Sequence, residues 1–118
     1  MKTTQRKVVD AYAVLNQMGR KVTGKTAFAL FRLKKQMKEI VEFQGEEEVK
    51  LVEQYGGKIT EDGRILFGDK EMRTAFQMEQ RKLGEMECEI DPIVIGTGEI
   101  PQITMEEIEA LDGIVNFE

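Results

Sequence analysis

Two apolar stripes at helical spacing, a few residues apart, constrain this chain more than anything else in it. Val8, Ala11, Tyr12, Leu15 and Met18 recur at steps of three and four, which sets them on one face of a helix. Ala27, Leu30, Leu33, Met37 and the pair Ile40/Val41 form a second stripe that drifts on to Val49, Val52 and Tyr55. Thr3 or Thr4 can cap the first helix, Gly19 can stop it, and Thr23 or Gly24 can start the second. Only about five residues then lie between them, the connection length of an antiparallel helical hairpin. The second helix reaches toward Tyr55, about 45 Å at the standard rise per residue. Gly45 inside it costs about 1 kcal/mol relative to Ala, and Glu46-Glu47-Glu48 follows at once, so a bend or break there stands beside an unbroken helix.

The rest of the chain reads as shorter elements. Gly56-Gly57 ends the helix, and Asp62-Gly63 between β-formers predicts a hairpin with a type I′ turn, which needs positive φ at both central residues. Asp69 caps a third helix with apolar positions Met72, Ala75, Phe76 and Leu83, closed by Gly84. Met86, Cys88 and Ile90 alternate with Glu85, Glu87 and Glu89, the period of a half-buried strand. Ile93-Val94-Ile95 is a short apolar run. Thr104-Met105-Glu106-Glu107 is a capping box that gives the helix behind it a core face of Ile108 and Leu111. Ile114, Val115 and Phe117 form an apolar tail that docks on the core or on a partner. The expected fold is a single α+β, helix-rich domain over all 118 residues. It comprises a long antiparallel helical hairpin (about 4–55), a β-hairpin (about 57–67), a third helix (about 70–84) and an acidic strand/helix segment (85–118).

Charge is distributed unevenly along this plan. Residues 1–41 hold ten Lys/Arg against Asp10 and Glu39, whereas residues 42–118 hold seven basic and twenty acidic residues, for a net −5 overall. Residues 85–118 carry ten acids and no Lys or Arg. One reading lays the acidic segment across the basic helices of its own or a neighbouring subunit. A second leaves an exposed basic face of Lys21, Lys25, Arg32, Lys34, Lys35 and Lys38 for nucleic acid or an acidic partner. A third leaves an acidic face of Glu85, Glu87, Glu89, Glu99, Glu106 and Glu109 that imitates nucleic acid toward a host protein.

Chemistry is sparse. The chain has no histidine, which removes imidazole acid–base catalysis, Ser-His and Cys-His nucleophiles and His-based metal sites. Its single cysteine, Cys88, rules out an intrachain disulfide framework and reads as a small buried hydrophobe. Gly19-Arg20-Lys21-Val22-Thr23-Gly24-Lys25-Thr26 matches the phosphate-cradling pattern G-x-x-x-x-G-K-[ST], in which Lys25 would meet phosphate oxygens and Thr26 a Mg²⁺. A P-loop follows a buried parallel strand, however, and the residues ahead of Gly19 have helical spacing. The match is therefore read as a loop between helices, with Thr23 and Gly24 capping the second. No catalytic residue, cofactor or metal is expected. Phe28 and Phe31 are expected to pack, leaving no base-stacking platform beside the lysines. No run of about 18 apolar residues could span a membrane, and no secretory signal pattern opens the chain.

The order of these segments resembles a known family. The quoted elements are Asp10-Ala-Tyr-Ala-Val-Leu-Asn16, Lys25-Thr26-Ala27-Phe28, a Lys-rich helix into Val41-Glu42-Phe43, and Leu51-Val52-Glu53-Gln54-Tyr55-Gly56. They continue with Thr60-Glu61-Asp62-Gly63 and Ile103-Thr104-Met105-Glu106-Glu107-Ile108-Glu109-Ala110-Leu111. Together they look like the small uncharacterised proteins encoded by tailed phages and prophages of Gram-positive bacteria. The resemblance implies a helix-rich fold and a viral or prophage origin; the expected location is the host cytoplasm or the virion. It implies no activity and no functional residues. The expected function is non-enzymatic, through contact with a protein partner (self, phage or host) in virion assembly or as an accessory factor, with nucleic acid a less favoured partner. The expected working surface is the long second helix with the C-terminal segment.

Overall fold

The computed structural model describes residues 1–18, 22–100 and 102–118. The two apolar stripes form helices α1 (Gln5–Met18) and α2 (Gly24–Gln54). Thr4 caps α1: the Lys7 amide donates to its Oγ1 at 3.3 Å. Val8, Ala11, Leu15 and Met18 are buried together with Leu30, Leu33 and Met37 of α2, so the hairpin closes along the predicted seam. Gly19, Arg20 and Lys21, including the stop assigned to Gly19, lie outside the described residues. Thr23 takes the N-cap position with extended backbone, but its side chain makes no capping hydrogen bond, contrary to the role given it above. Gly24 enters the helix at φ +68°, a conformation that side-chain-bearing residues avoid.

Helix α2 runs unbroken through Gly45 for 31 residues, nearly the 50 Å long axis of the molecule. The helix-weakening glycine is tolerated because α2 packs on α1 along one half and on a third helix along the other, and such packing outweighs propensity. Beyond Tyr55 the chain turns at Gly56 (φ +69°) and forms a hairpin of β1 (Lys58–Ile59) and β2 (Ile65–Leu66). The turn is not type I′. Gly63 alone has positive φ in it, at +84°, and its amide donates to the Thr60 carbonyl at 3.0 Å. Thr60 and Arg64 then close the loop, since the Thr60 amide donates to the Arg64 carbonyl at 2.8 Å. This is a three-residue loop with a bulge glycine. Asp62 is spared the left-handed conformation, costly for a residue with a Cβ, while its carboxylate accepts from the Thr60 hydroxyl and pairs with Arg64 at 3.2 Å.

Helix α3 (Lys70–Gly84) starts at Asp69, whose Oδ1 accepts from the Met72 amide at 2.8 Å. It buries Phe76 and Leu83 and leaves Met72 exposed. Met72, in the first turn of α3, is therefore not a core position. Phe76 meets Phe67 at 5.0 Å between ring centroids. At its other end α3 returns to α1: a Cβ on Gly84 would sit 3.3 Å from the Arg6 Cβ.

The acidic segment stitches both chain ends into small sheets. Lys2–Thr4, where only Thr3 or Thr4 was expected to act, as a cap, form a strand: β3 (Glu87–Glu89) pairs antiparallel with it, with Thr3 opposite Cys88. Of the alternating apolar residues Ile90 is buried and Cys88 half-buried, but Met86, between α3 and the strand, is exposed. Strand β4 (Ile93–Ile95) pairs parallel with β5 (Val115–Phe117), so the apolar tail docks on its own core. Between them lie a 3₁₀ turn (Thr97–Glu99) and helix α4 (Met105–Leu111), which has the predicted capping box: Thr104 Oγ1 accepts from the Glu107 amide at 3.1 Å, and Glu107 Oε1 accepts from the Thr104 amide at 2.9 Å. Leu111 is fully buried, but Ile108 is exposed, so the core face of this short helix is narrower than its spacing implied. Ile90, Ile95, Ile100, Leu111, Ile114 and Val115 complete the core begun by the hairpin.

Candidate functional site

The P-loop-like residues assemble no phosphate cradle among those described. Gly24 opens α2, Lys25 is exposed, and the Thr26 hydroxyl donates to Glu99 Oε2 at 2.5 Å. The chain ahead of them is helix α1, where a P-loop has a strand. Gly19 lies outside the described residues. Nor do the basic candidates form one patch. Lys34 turns inward, its Nζ 5.6 Å from the centroid of the Tyr12 ring, and Lys38 lies 3.9 Å from Glu42 one turn along. Lys25, Arg32 and Lys35 are exposed and make no ion pair among the described residues; Lys21 falls outside these.

What the helix does bring together is Arg32 and Lys35 with Phe28 and Phe31. These two phenylalanines are 61% and 59% exposed, stacked at 6.3 Å between centroids. The expectation that they pack is overturned. The stripe Leu30–Leu33–Met37 faces α1, and positions 28 and 31 fall on the opposite side of the same turns. Phe28, Phe31, Arg32 and Lys35 line a shallow groove of ≈ 620 Å³ whose other walls are Gln36, Glu39 and Asp91. Gln36 fixes that wall, its Oε1 accepting from the Asp91 amide at 3.0 Å. Further along the outward side of α2, Phe43 and Val49 are also exposed.

The acidic candidates Glu85, Glu87, Glu89, Glu99, Glu106 and Glu109 are all exposed, but they are spread over the C-cap of α3, β3, the 3₁₀ turn and α4. Glu89 meets the Met1 ammonium at 3.4 Å, Glu99 accepts from Thr26, and Glu109 contributes its main-chain carbonyl to Lys7 Nζ at 3.0 Å. The acidic segment does lie against the N-terminal part of its own chain, yet the Glu89 pair takes the Met1 ammonium rather than a helix Lys or Arg, and the other two contacts are hydroxyl and main-chain bonds. Among the described residues they leave Arg32 and Lys35 without an ion pair.

Cys88 is half-buried; burial first, and the adjacent Glu89 carboxylate second, push its thiol above the usual range, which disfavours the reactive thiolate. Sequence reasoning missed a polar cleft of ≈ 500 Å³ between α1, α2 and α3, lined by Arg6, Gln44, Glu48, Gln77, Gln80 and Arg81. Its residues come from three separated segments, so no local pattern announces it. Among the described residues no group of three or more His, Cys, Asp or Glu side chains is placed to hold a metal ion, and no helix is long and apolar enough to cross a membrane. No family model, curated protein or solved structure matches the chain.

Proposed function

We propose that this protein is a non-enzymatic binding module that works by protein–protein contact through the outward face of α2, centred on Phe28, Phe31, Arg32 and Lys35. In keeping with its sequence pattern, we place it among the phage and prophage proteins, as an assembly or accessory factor. The observation that carries the reading is the exposed phenylalanine pair. Burying a Phe side chain stabilises by about 1.5–3 kcal/mol, and aromatic and Arg side chains are the residue types that dominate protein interfaces. The non-enzymatic part rests on chemistry: the chain has no histidine, and burial, with Glu89 second, raises the pKa of its one thiol and so disfavours the thiolate.

Nucleic acid is the second reading, favoured by aromatic rings beside Arg32 and Lys35, the composition of a base-stacking platform. Glu39 and Asp91 in the same groove oppose it, because both would repel a phosphate backbone. They suit a partner of mixed charge. A third reading, an acidic antagonist of a host protein, loses ground because its carboxylates are spread over separate elements.

The test is photocrosslinking. p-Benzoylphenylalanine installed at position 28 or 31, irradiated in the cells that express the protein, is expected to give a nuclease-resistant polypeptide adduct; the same group at position 61, in the hairpin loop, is expected to give none. No adduct at 28 and 31, or one that nuclease digestion removes, would overturn the proposal.

A further inference from the structure

The outward face of α2 is not uniform along its length, and its pattern is complementary to itself when reversed. Its first half carries Lys25, Arg32 and Lys35 with Phe28 and Phe31; its second half carries Glu39, Glu42 and Glu46 with Phe43 and Val49. All of these residues are exposed. The helix is continuous between the two halves, so the positions keep a fixed helical phase. Residues 28, 31, 35, 38, 42, 46 and 49 follow one another at steps of three and four, which makes a single seam about 32 Å long from Phe28 to Val49.

We infer that the occupant of this seam is a second copy of the chain, its α2 lying antiparallel across the first about a two-fold axis near Lys38 and Glu39. The inference rests on the protein-binding reading above and names the partner. With the axis there, Phe28 falls level with the second copy's Val49, Phe31 and Arg32 with its Glu46, and Lys35 with its Glu42; two-fold symmetry repeats each contact. Phe28 and Val49 thus cover each other, and Arg32 and Lys35 of the first half each meet an acidic position of the second. A parallel pairing would set Arg32 on Arg32, Lys35 on Lys35, Glu42 on Glu42 and Glu46 on Glu46, so like-charge repulsion selects the antiparallel arrangement. Because the contact uses the same patch on both copies it closes on itself, giving a dimer rather than a filament. Charge complementarity also distinguishes this occupant from a nucleic acid strand, which would be repelled by the whole second half of the seam.

The test is the mass of the full chain by light scattering behind size exclusion, at about 50 µM and 0.1 M salt, where a dimer with micromolar or tighter Kd persists. The expected mass is twice the 13.5 kDa of one chain. Lys35→Glu alone and Glu42→Lys alone are each expected to weaken the dimer by about tenfold or more, since each turns two attractive contacts repulsive. The double variant K35E/E42K is expected to restore it. Both positions are exposed, and circular dichroism checks that each variant keeps its helices. A monomeric mass for the wild type, or a dimer indifferent to both single reversals, overturns the inference. A monomer whose position-28 photoadduct contains a different polypeptide overturns only the identity of the partner; a monomer with no adduct removes the protein-binding reading as well.

Discussion

The two halves of α2 are held in different ways. The first packs Leu30, Leu33 and Met37 into a core shared with α1 and with Ile90, Ile95, Ile100, Leu111 and Ile114 from the C-terminal segment. The second is held by Val52, Phe67 and Phe76, with a two-stranded hairpin whose Ile59 and Leu66 are exposed. A helix of this length is thus anchored by a deep apolar cluster at one end and by a small aromatic contact at the other. Regular helix geometry along 31 residues does not imply uniform stability along them.

Substitutions should expose that difference in order of size. Leu33→Ala, at a fully buried site, is expected to lower global stability by about 2–5 kcal/mol, read as a shift of the whole urea unfolding curve. Gly57→Ala should cost about 1–3 kcal/mol, because its Cβ would lie 2.8 Å from a Phe67 ring carbon and 3.0 Å from a Val52 methyl. Its loss should concentrate in the hairpin and α3, seen as faster amide exchange there than in α1. Asp69→Ala, which removes the cap on Met72, should cost about 1 kcal/mol with the same regional signature. Gly45→Ala should raise stability, by up to about 1 kcal/mol, since its Cβ would meet nothing within 4 Å. If Gly57→Ala and Leu33→Ala instead gave the same uniform exchange pattern, the two ends would be one cooperative unit and the comparison would fail.

A smaller effect concerns Cys88. Its thiol is raised by burial and by Glu89, so the folded chain keeps a proton that the unfolded chain releases in the ordinary thiol range. The associated stability is present below that range and is lost as pH rises from the unfolded value toward the folded one. Alkylation by iodoacetamide at about pH 8.5 should accordingly be slower for folded protein than for protein in urea.

Much of this plan was legible in the sequence because it is local. The two stripes, the Asp69 cap, the Thr104–Glu107 box and the glycine that ends α3 each depend on residues within one or two turns. What was misread depends on contacts between distant segments. Residues 2–4 become a strand only because residues 87–89 lie beside them. Ile108, spaced correctly for a core face, is exposed while Leu111 of the same short helix is buried. At the site, Arg32 and Lys35 were named from their charge, but the exposure of Phe28 and Phe31 was not: spacing shows which side of a helix they occupy, and says nothing of whether another element covers it. The Asp62-Gly63 turn was placed correctly and typed wrongly, because Thr60 and Arg64 offered Asp62 bonds that the dipeptide alone does not reveal.

The return of α3 along α2, ending with Gly84 pressed on Arg6, restricts how such a chain can change length. One residue added near Gly45 would rotate everything beyond it by about 100° and swing the aromatic contact of Phe67 and Phe76 away from Val52. Seven residues would restore the phase while moving the far end outward by about 10.5 Å, and α3 would then stop short of α1 unless it grew by the same two turns. Insertions and deletions should therefore survive only as matched pairs of whole turns in both helices.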